Sequence, residues 1–98
     1  MFAIRFARGA LEDMKRLPAR DWARIVEEIQ RRLTDQPQKP DRNRKELAGL
    51  VAPWEHVEPV WELRIGDHRV FYDVDSGAQQ VIVRAIRRKG RSTTEEIL

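Results

Sequence analysis

Apolar and polar residues alternate at the start of the chain, with Phe2, Ile4 and Phe6 on one side of "FAIRF". A period of two predicts a short strand over residues 2–6. The period then lengthens. In "ARGALEDMKRLP", Leu11, Met14 and Leu17 recur at helical spacing and Pro18 is the stop. In "ARDWARIVEEIQRRLTDQP", Trp22, Ile25, Val26, Ile29 and Leu33 follow the i, i+3, i+4, i+7, i+11 pattern of an amphipathic helix, closed by Pro37. These two segments predict a helical hairpin. Residues 37–46, "PQKPDRNRKE", lack any period and contain two prolines. They predict a polar surface loop bearing Lys39, Arg42, Arg44 and Lys45, which continues irregularly through "LAGLVAPWEHVEP".

Period two returns in three segments, at about 60–65, 68–74 and 80–86. Gly66-Asp67 separates the first two, and glycine at the first turn position predicts a two-residue type II′ hairpin. That turn sets Ile65 opposite His68, Arg64 opposite Arg69, Leu63 opposite Val70 and Trp61 opposite Tyr72. Alternation then puts Trp61, Leu63, Ile65, Val70, Tyr72 and Val74 on a helix-covered face. Glu62, Arg64, Arg69, Phe71 and Asp73 fall on the other face. In the last strand Val81, Val83 and Ala85 form one set and Ile82, Arg84 and Ile86 the other. "STTEEIL" holds a Ser/Thr-x-x-Glu pattern twice, Ser92 with Glu95 and Thr93 with Glu96, which predicts a capping box and a short final helix. The expected fold is α+β, a single domain over residues 1–98. A small antiparallel, about four-stranded twisted sheet packs on the helical hairpin.

Two arginines facing each other across a sheet repel, at a cost of tenths to about 1 kcal/mol where exposed. The pair is tolerable if a phosphate or carboxylate bridges it, or if Glu62 and Asp73 neutralise it in a surface ion network. The charge distribution favours an anion site. Lysine and arginine number 19 against 16 acids, and "RAIRRKGR", residues 84–91, carries five cations with no acid. Such a basic end suits nucleic acid or an acidic protein segment. With no cysteine and only His56 and His68, neither a disulfide framework nor a zinc set is expected, and no metal or other cofactor. No apolar run is long enough for a membrane span and no signal peptide is visible, so the expected compartment is the cytoplasm. Trp22, Trp54 and Trp61 are read as core residues, His68 as a packing residue at the hairpin end and His56 as a surface residue.

The stretches "KELAGL" (45–50), "WELRIGDHRVFYDVD" (61–75) and "VIVRAIRRKGRSTTEEIL" (81–98), in this order of elements, resemble the RelE/ParE superfamily of type II toxin–antitoxin toxins. Arg64, Gly66, Asp67, Arg69 and Tyr72 carry the resemblance best. The RelE-like branch implies a ribosome-dependent endoribonuclease that cuts mRNA and inhibits translation; the ParE-like branch implies a DNA gyrase poison. A catalytically weak relic that mainly binds its antitoxin is a third reading. On the nuclease reading the resemblance implies Arg64, Arg69 and Arg88 or Lys89 as catalytic cations around the scissile phosphate. Lys45, Arg84, Arg87 and Arg91 would bind RNA phosphates, and Glu62 is a possible acid or base. Glu62 stands where the nuclease branch often has a lysine, and the C-terminal segment has no tyrosine. The implied partners are a cognate antitoxin, and the ribosome with mRNA or, alternatively, gyrase.

Overall fold

The computed structural model describes residues 1–98 as β1 (Ala3–Phe6), α1 (Arg8–Lys15), α2 (Ala19–Leu33), β2 (Arg44–Leu47), β3 (Val60–Ile65), β4 (His68–Asp75), β5 (Gln80–Arg88) and α3 (Thr94–Ile97). The sheet has five strands in the order β1-β5-β4-β3-β2, with β1 parallel to β5 and the other pairs antiparallel. The strand beyond the four expected is β2, inside the segment read as a loop. "RKEL" has no apolar alternation. It is a strand because it pairs with β3, Arg44 opposite Leu63 and Leu47 opposite Val60.

The helical hairpin covers one face. Ala10 and Met14 of α1 and Ile25, Ile29 and Leu33 of α2 pack on Trp61, Leu63, Ile65, Val70, Tyr72, Val81, Val83 and Ile86. In α1 the buried pair is Ala10 and Met14, while Leu11 is exposed. Trp22, expected in the core, is 45% exposed. A helix turns about 100° per residue, so Trp22 shares the arc of the buried ridge through residues 25, 29 and 33, but it lies in the first turn of α2, before that ridge begins. Arg44 closes the far end of α2. Its Nη1 donates to the carbonyl of Arg32 at 2.6 Å and its Nε to that of Lys39 at 2.6 Å. It thereby satisfies one of the carbonyls a helix C-terminus leaves without a partner.

The second face is also covered. Phe71, Val60, Ala52 and Ala85 form a smaller buried cluster beneath Leu47, Leu50, Trp54, Ile97 and Leu98. Sequence alternation had put Ala85 in one set with Val81 and Val83 and Ile86 in the other with Ile82, whereas the structure packs Ile86 with Val81 and Val83 and puts Ala85 in the second cluster. Tyr72 pairs with Val83 but Phe71 with Ala85, so Arg84 is an extra residue, a β-bulge that shifts the parity of everything after it. Close to the bulge, α1 approaches β5 at Gly9, where a Cβ would lie 3.1 Å from the carbonyl oxygen of Arg84. At the β3–β4 turn Gly66 has φ +58 while Asp67 does not adopt positive φ, the type II′ pattern expected.

Candidate functional site

The β3–β4 register places Arg64 opposite Arg69, as the two-residue turn requires, and Lys45 of β2 lies opposite Glu62. Directly opposed residues share a face. These four side chains, with Lys89 from the end of β5 and residues 41–43 of the turn before β2, surround a cleft of about 160 Å³. Its lining has five cationic side chains, Arg42, Lys45, Arg64, Arg69 and Lys89, against the carboxylates of Asp41 and Glu62.

Glu62 lies at the floor, 5% exposed. Its Oε2 accepts from the Thr94 hydroxyl at 2.8 Å, while Oε1 lies 3.8 Å from Lys45 Nζ and 3.9 Å from Arg69 Nε. Arg69 is also buried, and its Nη1 donates to the carbonyls of Gly66 and His68 at 3.0 and 2.9 Å. It therefore braces its own turn while turning one edge toward Glu62. Burial pushes its guanidinium below the ordinary arginine range; Glu62 opposes that shift and Arg64 adds to it. Arg64 is exposed and enters no ion pair. The expected ion network across the arginine pair thus reduces to the loose Glu62–Arg69 contact, because Asp73 is engaged elsewhere.

That engagement is with Arg84, whose Nε and Nη2 donate to the two oxygens of Asp73 at 2.8 and 3.2 Å. Arg87 is tied down too. It pairs with Asp13 of α1, donates from Nε to the carbonyl of Ile97 at 3.0 Å and lies 5.5 Å from the centre of the Trp54 ring. Arg88 points to the helix-covered side, into a separate cleft beside Arg24 and His68. Arg91 is exposed beyond β5. Of the residues singled out in the sequence, the fold gathers Lys45, Glu62, Arg64, Arg69 and Lys89 around one cleft. Arg84, Arg87, Arg88 and Arg91 do not line it.

A family model described as the ParE toxin of the type II toxin–antitoxin system, parDE, matches residues 4–92. The chain belongs to this family. Among solved structures, this toxin is similar to the toxin–antitoxin complex RelBE2 of Mycobacterium tuberculosis, at 25% identity and TM-score 0.67, covering 87% of this chain and 94% of that one. It shares its fold with the archaeal RelE–RelB complex of Pyrococcus horikoshii, at 18% identity, TM-score 0.69 and coverage of 93% and 98%. It also shares it with isolated E. coli RelE, at 15% identity, TM-score 0.69 and coverage of 98% and 93%. No curated protein matches the sequence. The family and the fold together place the toxin in the RelE/ParE superfamily.

Four residues at or beside the toxin's cleft were not among the site residues expected from the sequence: Asp41, Arg42 and Asn43 in its lining, and Thr94, which bonds to Glu62. Asp41 and Asn43 form a small turn in which the Asn43 amide donates to Asp41 Oδ1 at 2.8 Å. The signal was present in "DRN", because aspartate caps its own backbone two residues on. That amide, with Arg44 and Arg32 nearby, holds the Asp41 carboxyl below its ordinary range against the opposing effect of desolvation. Thr94 was legible only as part of a helix start. The lone tyrosine is withdrawn from chemistry. Tyr72 donates to the carbonyl of Pro37 at 2.6 Å inside the core, and burial pushes its pKa upward. No group of histidines and acids could hold a metal, and no helix is long and apolar enough to cross a membrane.

Proposed function

We propose that the toxin cuts ribosome-bound mRNA at the Arg64–Arg69–Lys89 cleft. The observation that carries this reading is the gathering of five cationic side chains around one cleft, two of them, Lys45 and Arg69, beside the buried carboxylate of Glu62. RNA is cleaved when its own 2′-oxygen bonds to the adjacent phosphorus and the P–O5′ bond breaks. Charge accumulates on the phosphate oxygens, and arginine's fixed fork of donors suits that charge. Arg64 and the Nε edge of Arg69 bind the phosphate. Glu62 takes the 2′-proton through Oε1, the oxygen on the side of Lys45 and Arg69. Lys89 returns a proton to the departing 5′-oxygen, a role that Arg88 on the opposite side does not share. With Glu62 half-engaged by Thr94, alignment of the 2′-oxygen falls to the ribosome, so free RNA is a poor substrate.

A second reading is favoured by a specific observation. Arg69 spends one nitrogen on two backbone carbonyls, and the matching family is that of ParE toxins. On that reading the toxin poisons gyrase and cuts nothing. On either reading its partner is an antitoxin, and charge complementarity to the basic lining favours acidic residues on its side of the contact. Arg64→Ala discriminates between the readings better than Arg69→Ala, because Arg69 also holds the hairpin turn and its loss disturbs structure as well as chemistry. Removing one charge-stabilising group lowers rate by roughly 10²–10³-fold. Expression of wild type should generate new mRNA 5′ ends in translating cells, and Arg64→Ala should abolish both these and toxicity. Toxicity without new 5′ ends, accompanied by blocked supercoiling in a gyrase assay, selects the second reading.

A further inference from the structure

A second cleft, of about 440 Å³, opens on the helix-covered side of the hairpin tip. Arg16, Arg24, His68 and Arg88 line it, opposed by Asp21 and Asp67. Arg24 and Arg88 form neither ion pair nor side-chain hydrogen bond, and Arg16 only a 3.7 Å contact with Asp13. The Arg24 guanidinium lies along the turn, where a Cβ on Gly66 would stand 3.4 Å from its Nη1. His68 and Arg88 are opposed across β4 and β5, which brings Arg88 to the same side. Lys89, the next residue, lines the first cleft, and its amide donates to the Asp67 carbonyl at 2.7 Å. The basic run therefore divides at the tip, Arg88 serving one side and Lys89 the other.

We propose that this second cleft is a binding site for the phosphate backbone of a nucleic acid. Arg24 and Arg88 have no ion-pair partner, and the planar forks of arginine match phosphate oxygens. Leu17 is its one hydrophobic side chain. A protein segment needs an apolar anchor at the centre of its contact, and this cleft offers almost none. A backbone of repeated phosphates needs only charge and hydrogen-bond donors. Asp21 and Asp67 temper the field, which favours a polymer making several contacts over one free ion. The inference holds for RNA and DNA alike and stands on either reading of the toxin's activity.

The test uses full-length toxin and a labelled single-stranded oligothymidylate, which lacks the 2′-hydroxyl and cannot be cut. Its affinity is measured by anisotropy across a salt series. Each phosphate neutralised on a single strand contributes about 0.7 to the slope of log K against log salt. Replacing Arg24→Gln and Arg88→Gln together should lower the slope by about 1.4. Arg88→Gln alone should remove about half of that, and serves if the double variant does not fold. Arg24→Lys with Arg88→Lys should keep the slope. An unchanged slope in a Gln variant with a wild-type melting temperature overturns the proposal. So does a slope that is unchanged while binding of a polyglutamate peptide is lost, which would assign the cleft to an acidic protein segment.

Discussion

Arg84 and Arg64 are both arginines of a basic sheet, and the difference between them is their neighbours. Arg84 is bonded to Asp73, a carboxylate 1% exposed, and Arg64 stands in the open cleft without a carboxylate partner. Breaking a buried ion pair by removing one partner leaves an uncompensated charge and costs about 3–5 kcal/mol. Arg84→Ala should therefore lower the unfolding free energy by that order, read as a lower urea midpoint at unchanged m. Asp73→Leu combined with Arg84→Met should recover much of the loss, since an apolar pair of similar volume leaves no orphan charge. If Arg84→Ala unfolds at the wild-type midpoint, the pair is not structural. The sequence offered Arg84 as a phosphate ligand because a run of cations shows its charge but not its partner across the sheet. Arg87, held by Asp13 from α1, was hidden for the same reason.

Single-turn α3 is too short to persist by itself, since helix nucleation is costly. Three attachments hold it: Thr94 to Glu62, the Ile97 carbonyl to Arg87, and Ile97 and Leu98 against the second core. Its start was legible as a capping box, and of the two candidate boxes the fold uses Thr93 with Glu96. The Thr93 backbone amide and then its hydroxyl hold the Glu96 carboxyl below its ordinary value. A depressed carboxylate favours the capped state fully above its unfolded pKa, about 4.3, and that favour is lost as pH falls through the lower folded value. Hydrogen exchange at the Thr93 amide should accordingly lose protection on acidification below about pH 4.3, after correction for the intrinsic rate. Glu96→Gln should remove that step; an identical pH profile in both proteins would dissociate the box from the titration. Strand β2, in contrast, was not legible. Its four residues carry three charges, and only pairing with β3 makes them a strand.

At the scale of the whole molecule the sheet is sandwiched between two unequal cores, where the alternation of β3 and β4 suggested one covered face and one open. Phe71 is the difference. It shares a face with Glu62 and Arg69, yet it is fully buried, with Trp54 tilted against it at 5.4 Å between ring centres. Truncating a buried phenylalanine to alanine costs about 3–5 kcal/mol, a large share of a stability that for ordinary domains is about 5–15 kcal/mol. Phe71→Ala should shift the urea midpoint accordingly. It should also loosen α3, read as faster hydrogen exchange at its amides, because Ile97 and Leu98 rest on the same cluster. A variant that loses stability while α3 stays protected would show that the helix is held by its polar bonds alone.

Local periodicity determined the helical hairpin, the strands β1, β3, β4 and β5, and the opposition of Arg64 and Arg69. These depend on spacing within a few residues and on a turn whose conformation Gly66 specifies. Tertiary structure alone decided which cations are free. The bulge at Arg84 depends on how β5 meets β4, and it exchanged the sides of Ala85 and Ile86. Trp22 kept its helical period but stays exposed, because it lies in the first turn of α2, before the stretch that the sheet covers. The split of Arg88 and Lys89 between two clefts likewise needed the hairpin tip in three dimensions. Charge is a property of a residue, whereas its availability to a partner is a property of everything packed around it.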